Sequence, residues 1–446
     1  MKTNLPEFSA TRSLWRRVLP VALLNLVFGA SVWFWVFLIP YNKAPDENNH
    51  FKYSVKFIIE NHRLPVSGKD DVECFRNAAS SYNKFPALNY VLAAIAAVAG
   101  HHLAGFDWYI GARLMSFLLG LLFINLTLAS VYRLGARGMS AVVPVAVVGL
   151  IPQVVYVCCY VNADAYALAV SGWMALVMVN ALVETAVASD RTPSWKAAYW
   201  FGSGVGLALT IKLNYLVYLP WLFLGTLGLF AARRLSGRAL WRLAVATVVM
   251  SLVLAGGWYL RNYILYGELM PAAPTPEWLA SIGVENPPPR FVIATRMSWP
   301  ALMELVRRGF FTETLGYFYG KFGYGTLGFE PQVYVLLKFL APASAVLFIA
   351  AAWSTRDRYI RWGFLWLAGL AASNLTLLVL YAVLYDYQSQ GRYLFPILAP
   401  AAVWMGWSCA RHPRLWRFAL PLLGVNLWLL VKAHFLLHNT YSINGI

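Results

Sequence analysis

Charge is scarce in this chain of 446 residues: Asp, Glu, Lys and Arg together make up 12%, against 60% hydrophobic residues. A soluble domain of this length needs more polar surface than that, so the composition excludes an ordinary globular enzyme and points to the bilayer. Acids are the scarcer sign, 19 against 36 Lys and Arg, giving a formal net charge of +17. The excess sits mostly in short loops between apolar runs, where the positive-inside rule places it, and does not imply nucleic acid. Cysteine is scarce too. Cys74, Cys158, Cys159 and Cys409 show no metal-ligand spacing and no disulfide framework, and read as packing residues. There is no Gly-rich phosphate loop, no Ser-His-Asp order, no haem or flavin pattern, no internal repeat and no low-complexity tail. Gly204-x-Gly206 reads as helix packing within a span.

What the chain has in plenty is aromatic residues (19 Trp, 25 Tyr, 26 Phe) and apolar runs close to the length that crosses a bilayer. The first, Val18–Ile39, reads as a retained signal anchor because no small-residue cleavage site follows it. Lys2, Arg12, Arg16 and Arg17 precede it and place the N-terminus in the cytoplasm. The apolar segment Phe85–Leu103 decides the topology downstream. If it crosses, Arg133/Arg137, Arg233/Arg234/Arg238/Arg242, Arg356/Arg358/Arg361 and Arg411/Arg414/Arg417 all lie outside. If it stays on the outer surface, all of them, with Arg191 and Lys196, fall inside, as short-loop charge bias requires.

The spans are then Val18–Ile39, Ile110–Tyr132, Ala141–Cys158, Ala165–Glu184, Ala198–Lys212, Tyr215–Ala231, Leu243–Leu260, Val333–Trp353, Trp362–Leu384, Leu394–Cys409 and Phe418–Phe435. This is an all-α integral membrane domain of about eleven crossings, a single unit over residues 1–446. Residues 40–109 form a first outer loop with amphipathic helices, and residues 261–332 a second. The second contains Pro271-Ala272-Ala273-Pro274-Thr275-Pro276 and Pro287-Pro288-Pro289, which break helices, and the aromatic stretch Trp299–Tyr324, suited to the membrane surface.

In this register the acids and a second set of cations meet on the outer side: Asp46-Glu47, Asn162-Ala163-Asp164, Lys212, Arg261, Lys321 and Gln390-Gly391-Arg392-Tyr393. Carboxylates beside a bilayer are costly and mark function by default. An acid there can take the proton of a hydroxyl acceptor, and Arg and Lys can neutralise a phosphate leaving group, so the set suits an anionic, lipid-linked substrate. Simpler readings compete: Lys212 snorkelling at a span end, Arg261 on the surface, Asp164 capping the helix after it, Phe318, Tyr319 and Phe322 as an aromatic belt. His50 beside the two acids leaves a divalent cation (Mg or Mn) open, but Asp-Glu-x-x-His is not the His-Glu-x-x-His of a zinc protease, and no metal ligand is assigned.

Pro45-Asp46-Glu47-Asn48-Asn49-His50-Phe51 resembles the Pro-Asp-Glu-x-x-His-Phe motif of a large family of bacterial polytopic membrane proteins. That family is similar to the GT-C glycosyltransferases, including protein O-mannosyltransferases and lipid A aminoarabinose transferases. The resemblance continues in order through Phe85-Pro86-Ala87-Leu88-Asn89-Tyr90, Ala112-Arg113-Leu114, Val161-Asn162-Ala163-Asp164-Ala165, Thr210-Ile211-Lys212, Trp258-Tyr259-Leu260-Arg261-Asn262, Tyr319-Gly320-Lys321-Phe322-Gly323 and Gln390-Gly391-Arg392-Tyr393-Leu394-Phe395-Pro396. Ala87 departs from the second proline of the family's Pro-Pro-x-x-Tyr signature. The resemblance implies a GT-C fold in the bacterial inner membrane with its active site at the periplasmic face, and a polyprenyl-phosphate sugar donor with a glycan, lipid or protein acceptor. It also implies Asp46 as catalytic base with Glu47 positioning the base or acceptor. Lys212, Arg261, Arg392, Tyr393 and Lys321 would contact donor phosphate, and His50, Tyr90, Asn162, Asp164 and Gln390 would line the substrate site. A flippase for lipid-linked saccharides and a lipid-linked oligosaccharide ligase or polymerase are the competing readings. The flippase predicts inverted repeats and broken helices meeting mid-membrane, which the sequence does not display.

Overall fold

The structure, a computed structural model, describes residues 7–78, 81–188, 190–270, 275–284 and 292–442. Lys2 and the prolines at 271, 274 and 287–289 lie outside the described residues. Among the described residues, nine helices are long and apolar enough to cross a membrane: Val18–Leu38, Trp108–Arg133, Asp164–Val187, Asn214–Ala231, Gly237–Tyr266, Pro331–Ser354, Arg358–Leu384, Gly391–Arg411 and Trp416–Ser442. Their outer faces keep large apolar side chains exposed, such as Leu26, Phe223, Val253, Ile264 and Phe339. A belt of that kind is stable against hydrocarbon and not against water.

Two expected spans differ from continuous long helices. Ala141–Cys158 is broken into Met139–Gly149 and Pro152–Val157. Pro152 cannot donate to a preceding turn and disfavours helical Ile151, which takes ψ 125°. This pass is buried from Ala141 onward and packs against the first helix, Trp108–Arg133, Leu398–Arg411 and Trp416–Ser442. The segment expected over Ala198–Lys212 begins earlier and ends earlier, as Trp195–Ala208 with Ser194 capping it. The tight approach of Gly202 and Gly206 to the backbone of Ala246 and Met250 explains the glycines of this helix: a β-carbon would overlap those carbonyls.

Leu88–Ala104 does not pass through the bundle. Tyr90 in its first turn bonds His50, and Arg113, in the first turns of the next helix, bonds Glu47. The segment's start is thereby held against the short helix Glu47–His50, while its later turns pack on the next helix, Ala97 and Gly100 against Gly111. The first long loop, residues 40–109, carries further short helices at Phe57–Asn61 and Val72–Ala78, with a π-turn over Phe51–Lys56. In the second, Pro276 opens the helix Pro276–Ser281 at its first position, where its missing N–H is harmless, so not every proline there breaks a helix. The aromatic stretch folds as Trp299–Arg307 and Phe310–Tyr319, followed by a two-stranded hairpin pairing Lys321–Phe322 with Leu327–Gly328, a small β element in an otherwise helical chain.

Candidate active site

Asp46 and Glu47 are adjacent in sequence but face different partners. Asp46 sits in the left-handed region (φ 60°), which acids and amides tolerate best among residues with a side chain. The turn sends Glu47 into the protein, where it is fully buried in a two-pronged pair with Arg113: Nε to Oε1 at 2.6 Å and Nη2 to Oε2 at 2.7 Å. The remaining guanidinium hydrogens go to the carbonyls of Val36, Ile39 and Pro40, at and just past the end of the first helix. The backbone N–H of Asn42 also donates to Glu47 at 3.1 Å. Glu47 thus anchors the loop and does not reach the reacting side.

Asp46 faces the opposite way and keeps 29% of its side chain exposed. Arg392 Nη2 donates to its Oδ2 at 3.3 Å, while Nη1 lies 3.4 Å from Asp164 and 3.2 Å from the Tyr160 hydroxyl. Lys212 Nζ meets Asp164 Oδ1 at 3.1 Å and lies 5.0 Å from the centre of the Tyr393 ring. The result is an alternating row, Asp46–Arg392–Asp164–Lys212, assembled from four separate stretches of the chain. Burial alone would raise the Asp46 pKa, but Arg392, the Tyr82 hydroxyl and Lys212 outweigh it and hold the carboxyl below its ordinary value of 3.8. Burial lowers Lys212, Asp164 opposing it and Arg392 adding to it. His50 is buried with Nδ1 2.7 Å from the Tyr90 hydroxyl and its ring 3.9 Å from that of Tyr82; burial pushes its pKa down to about 3, so it is a neutral spacer at physiological pH.

The other expected residues divide. Gln390 accepts from Arg392 Nε at 2.6 Å and so orients the guanidinium. Tyr393 supplies the ring beneath Lys212 and donates its hydroxyl to Gln388. Asn162, not Asp164, caps the following helix: its Oδ1 accepts from the N–H groups of Asp164 and Ala165, which frees the Asp164 carboxylate for Lys212 and Arg392. Arg261 is not part of the row. It lies in the helix Gly257–Tyr266, donates to the Pro65 carbonyl and stacks on Trp258. Lys321 lines a cleft with Asp46, Arg392, Gln390, Gln153 and Tyr317, whereas Lys212 lines a separate, mainly apolar one with Phe85, Pro86, Tyr90, Tyr166 and Ile211. Tyr82, Tyr160 and Gln153 carry no signal in the sequence, and Arg113 appears there only within Ala112-Arg113-Leu114 and with no role, although an arginine inside an apolar helix is itself a signal that a buried acid awaits it.

Among the described residues, no group of three His, Cys, Asp or Glu side chains comes together as a metal site. Asp164 is committed to Arg392 and Lys212, Asp46 to Arg392, and His50 to Tyr90, so this donor set does not fit a divalent cation.

Fold and site together define an integral membrane protein with the GT-C fold. ArnT from Cupriavidus metallidurans in the apo state superposes with a TM-score of 0.50 at 17% identity, over 92% of this chain and 62% of that one. The arabinofuranosyltransferase AftD from Mycobacteria gives 0.50 at 14% identity, over 93% of this chain and 27% of that one. The S. cerevisiae protein O-mannosyltransferase Pmt1-Pmt2 complex bound to the sugar donor is looser, with a TM-score of 0.41 at 18% identity over 66% of this chain and 39% of that one. The chain thus spans less than two thirds of the length of each. No family model and no curated protein sequence matches it.

Proposed function

We propose that this protein is a membrane glycosyltransferase moving a sugar from a polyprenyl-phosphate donor to a hydroxyl of a cell-envelope acceptor, at the periplasmic face of the bacterial inner membrane. The observation that carries the reading is the row Asp46–Arg392–Asp164–Lys212 at the end of an apolar bundle, with Asp46 its one partly open carboxylate. An isolated acid–base pair would serve for stability; two cations backed by a buried acid and facing an ionised, accessible one suit charge transfer between substrates.

In this reading the acceptor hydroxyl gives its proton to Asp46 as its oxygen bonds to the anomeric carbon. The bond from that carbon to the phosphate oxygen breaks, and the electron pair leaves with the polyprenyl phosphate. Lys212 and Arg392 hold the phosphate as its charge grows, so no acid is needed to protonate it. Asp164 keeps both cations in place, and the apolar walls of the Lys212 cleft (Phe85, Pro86, Ile211) suit the first units of the lipid.

The test uses membranes holding wild-type or Asp46→Asn protein and a radiolabelled polyprenyl-phosphate sugar pool. Label should move to a new acceptor with the wild type only. Near-normal transfer by Asp46→Asn would remove the base assignment, and label changing leaflet without transfer would favour a flippase.

A further inference from the structure

Asp46 opens onto only one of the two clefts, the one that also holds Lys321. A base must touch the hydroxyl that it deprotonates. If the transferase reading above holds, the acceptor occupies the Lys321 cleft and the donor phosphate lies on the Lys212 side, with Arg392 between them.

Three features of the Lys321 cleft are left over after the protein's own contacts are satisfied. Among the described residues, Lys321 meets no carboxylate, and its ammonium lies 4.8 Å from the centre of the Tyr317 ring. Arg392 and Lys212, by contrast, are paired with Asp46 and Asp164, two acids for two cations. Gln153 is 4% exposed, and its Oε1 is buried without a hydrogen-bond partner. A buried acceptor without a donor is costly unless a ligand supplies one. Tyr324 keeps 57% of its surface exposed at the mouth, although its position is fixed. It stands between Gly323 (φ +59°) and Gly325 (φ +81°), where a side chain would be strained. Its hydroxyl donates to Asn42, and the Gly323 N–H donates to Tyr156. A rigid, open aromatic face beside a free amide oxygen is suited to the apolar face and hydroxyl edge of a sugar ring.

We propose that this cleft is the acceptor subsite and that it takes a glycan carrying an acidic group, a carboxylate or a phosphate, near the attacked hydroxyl. Lys321 pairs with the acid, Gln153 accepts from a neighbouring hydroxyl, and Tyr324 stacks on the ring. The excess cation thereby serves to choose the acceptor, and Lys321 leaves the donor set.

The test uses the full chain in lipid nanodiscs and three fluorescent oligosaccharides of one length, ending in glucose, glucuronic acid or glucose 6-phosphate. The wild type should bind at least one acidic probe about tenfold more tightly than the neutral one, and Lys321→Met should close that gap. Which acidic probe wins separates carboxylate from phosphate recognition. Tyr324→Ala should weaken all three probes together. Equal binding of the three probes to the wild type, no binding of any, or an acid preference that survives Lys321→Met would each overturn the proposal. Thermal shift by undecaprenyl phosphate is measured in parallel. Its absence in the wild type would count against the transferase reading and not against the sugar result, whereas its loss in Lys321→Met would return Lys321 to the donor side and overturn the proposal.

Discussion

Glu47 and Arg113 form a fully buried two-pronged ion pair that joins the end of the first helix to the loop bearing Asp46. The guanidinium spends every remaining hydrogen on helix-end carbonyls, so the pair positions the loop as a hinge pin would. Its geometry explains why the chain tolerates a buried charge pair near the bilayer: each charge has its partner, and no donor is left over.

Breaking this pair from one side should therefore damage stability before chemistry. Glu47→Ala leaves a buried, unpaired arginine and is expected to cost about 3–5 kcal/mol, read as a large fall in melting temperature. Asp46→Asn should lower the melting temperature much less, since Arg392 keeps Asp164 as a partner, while stopping transfer. A Glu47→Ala protein that melts normally would show that the pair does not hold the loop.

Arg392 sets the ionisation of Asp46. Without the guanidinium, the strongest of the groups opposing burial is gone and the carboxyl rises relative to the wild type. With it, the folded pKa lies below the ordinary 3.8, so the Asp46 contribution to stability is present above that value and is lost only as pH falls through the lowered one. The rate of sugar transfer by wild-type protein should accordingly show no acid limb from Asp46 near neutrality. The residual rate of Arg392→Gln should show one displaced to higher pH. An unmoved limb would mean that the base is another group.

Much of this site can be read without coordinates, because charge in an apolar chain has few uses. Asp46, Lys212 and Arg392 stand out in that way, and the short-loop arginines sort them onto one side. Glu47 could not be separated from Asp46 by pattern, since the two carboxylates differ only through one left-handed turn. Arg261 sits at a span end just as Lys212 does, and only the fold shows that it turns toward Pro65. The central pass reads as one span, Ala141–Cys158, in the sequence; that reading misses the break at Pro152, and the burial of the pass depends on helices distant in sequence. Pairing of Lys321–Phe322 with Leu327–Gly328 rests on two residues per strand, too short for an alternating pattern to register.

Asn162 holds the start of the Asp164–Val187 helix through two N–H groups while its own amide donates to the Val157 and Tyr160 carbonyls. Asn162→Ala should cost about 1 kcal/mol for the cap. It should also release Asp164 to compete for the vacated N–H groups, lowering transfer by more than the stability loss explains. Asn162→Asp keeps the capping oxygen but turns the donor facing the Val157 and Tyr160 carbonyls into an acceptor, so it should lower the melting temperature further than Asn162→Ala. Equal transfer in wild type and Asn162→Ala would show that Asp164 is held by its cations alone.

His50 gives the protein an acid sensitivity that its neutral role in the site hides. Burial depresses the imidazole from 6.5 to about 3, with Lys212 and Arg392 acting the same way against Asp46. Between those values the unfolded chain binds a proton that the folded chain does not, so stability falls as pH drops, by on the order of 1.4 kcal/mol per unit while only the unfolded state is protonated. The depressed acids Asp46 and Asp70 begin to count only toward the lower end of that window. His50→Gln keeps a polar group against Tyr90 without the titration. Its melting temperature should therefore fall less steeply than that of the wild type between pH 6.5 and pH 5, a comparison that a pH series of thermal scans on the two proteins makes directly. Parallel curves would mean that His50 is charged in the folded protein, paired with Asp46, and the neutral spacer would have to be redrawn as part of the ionic row.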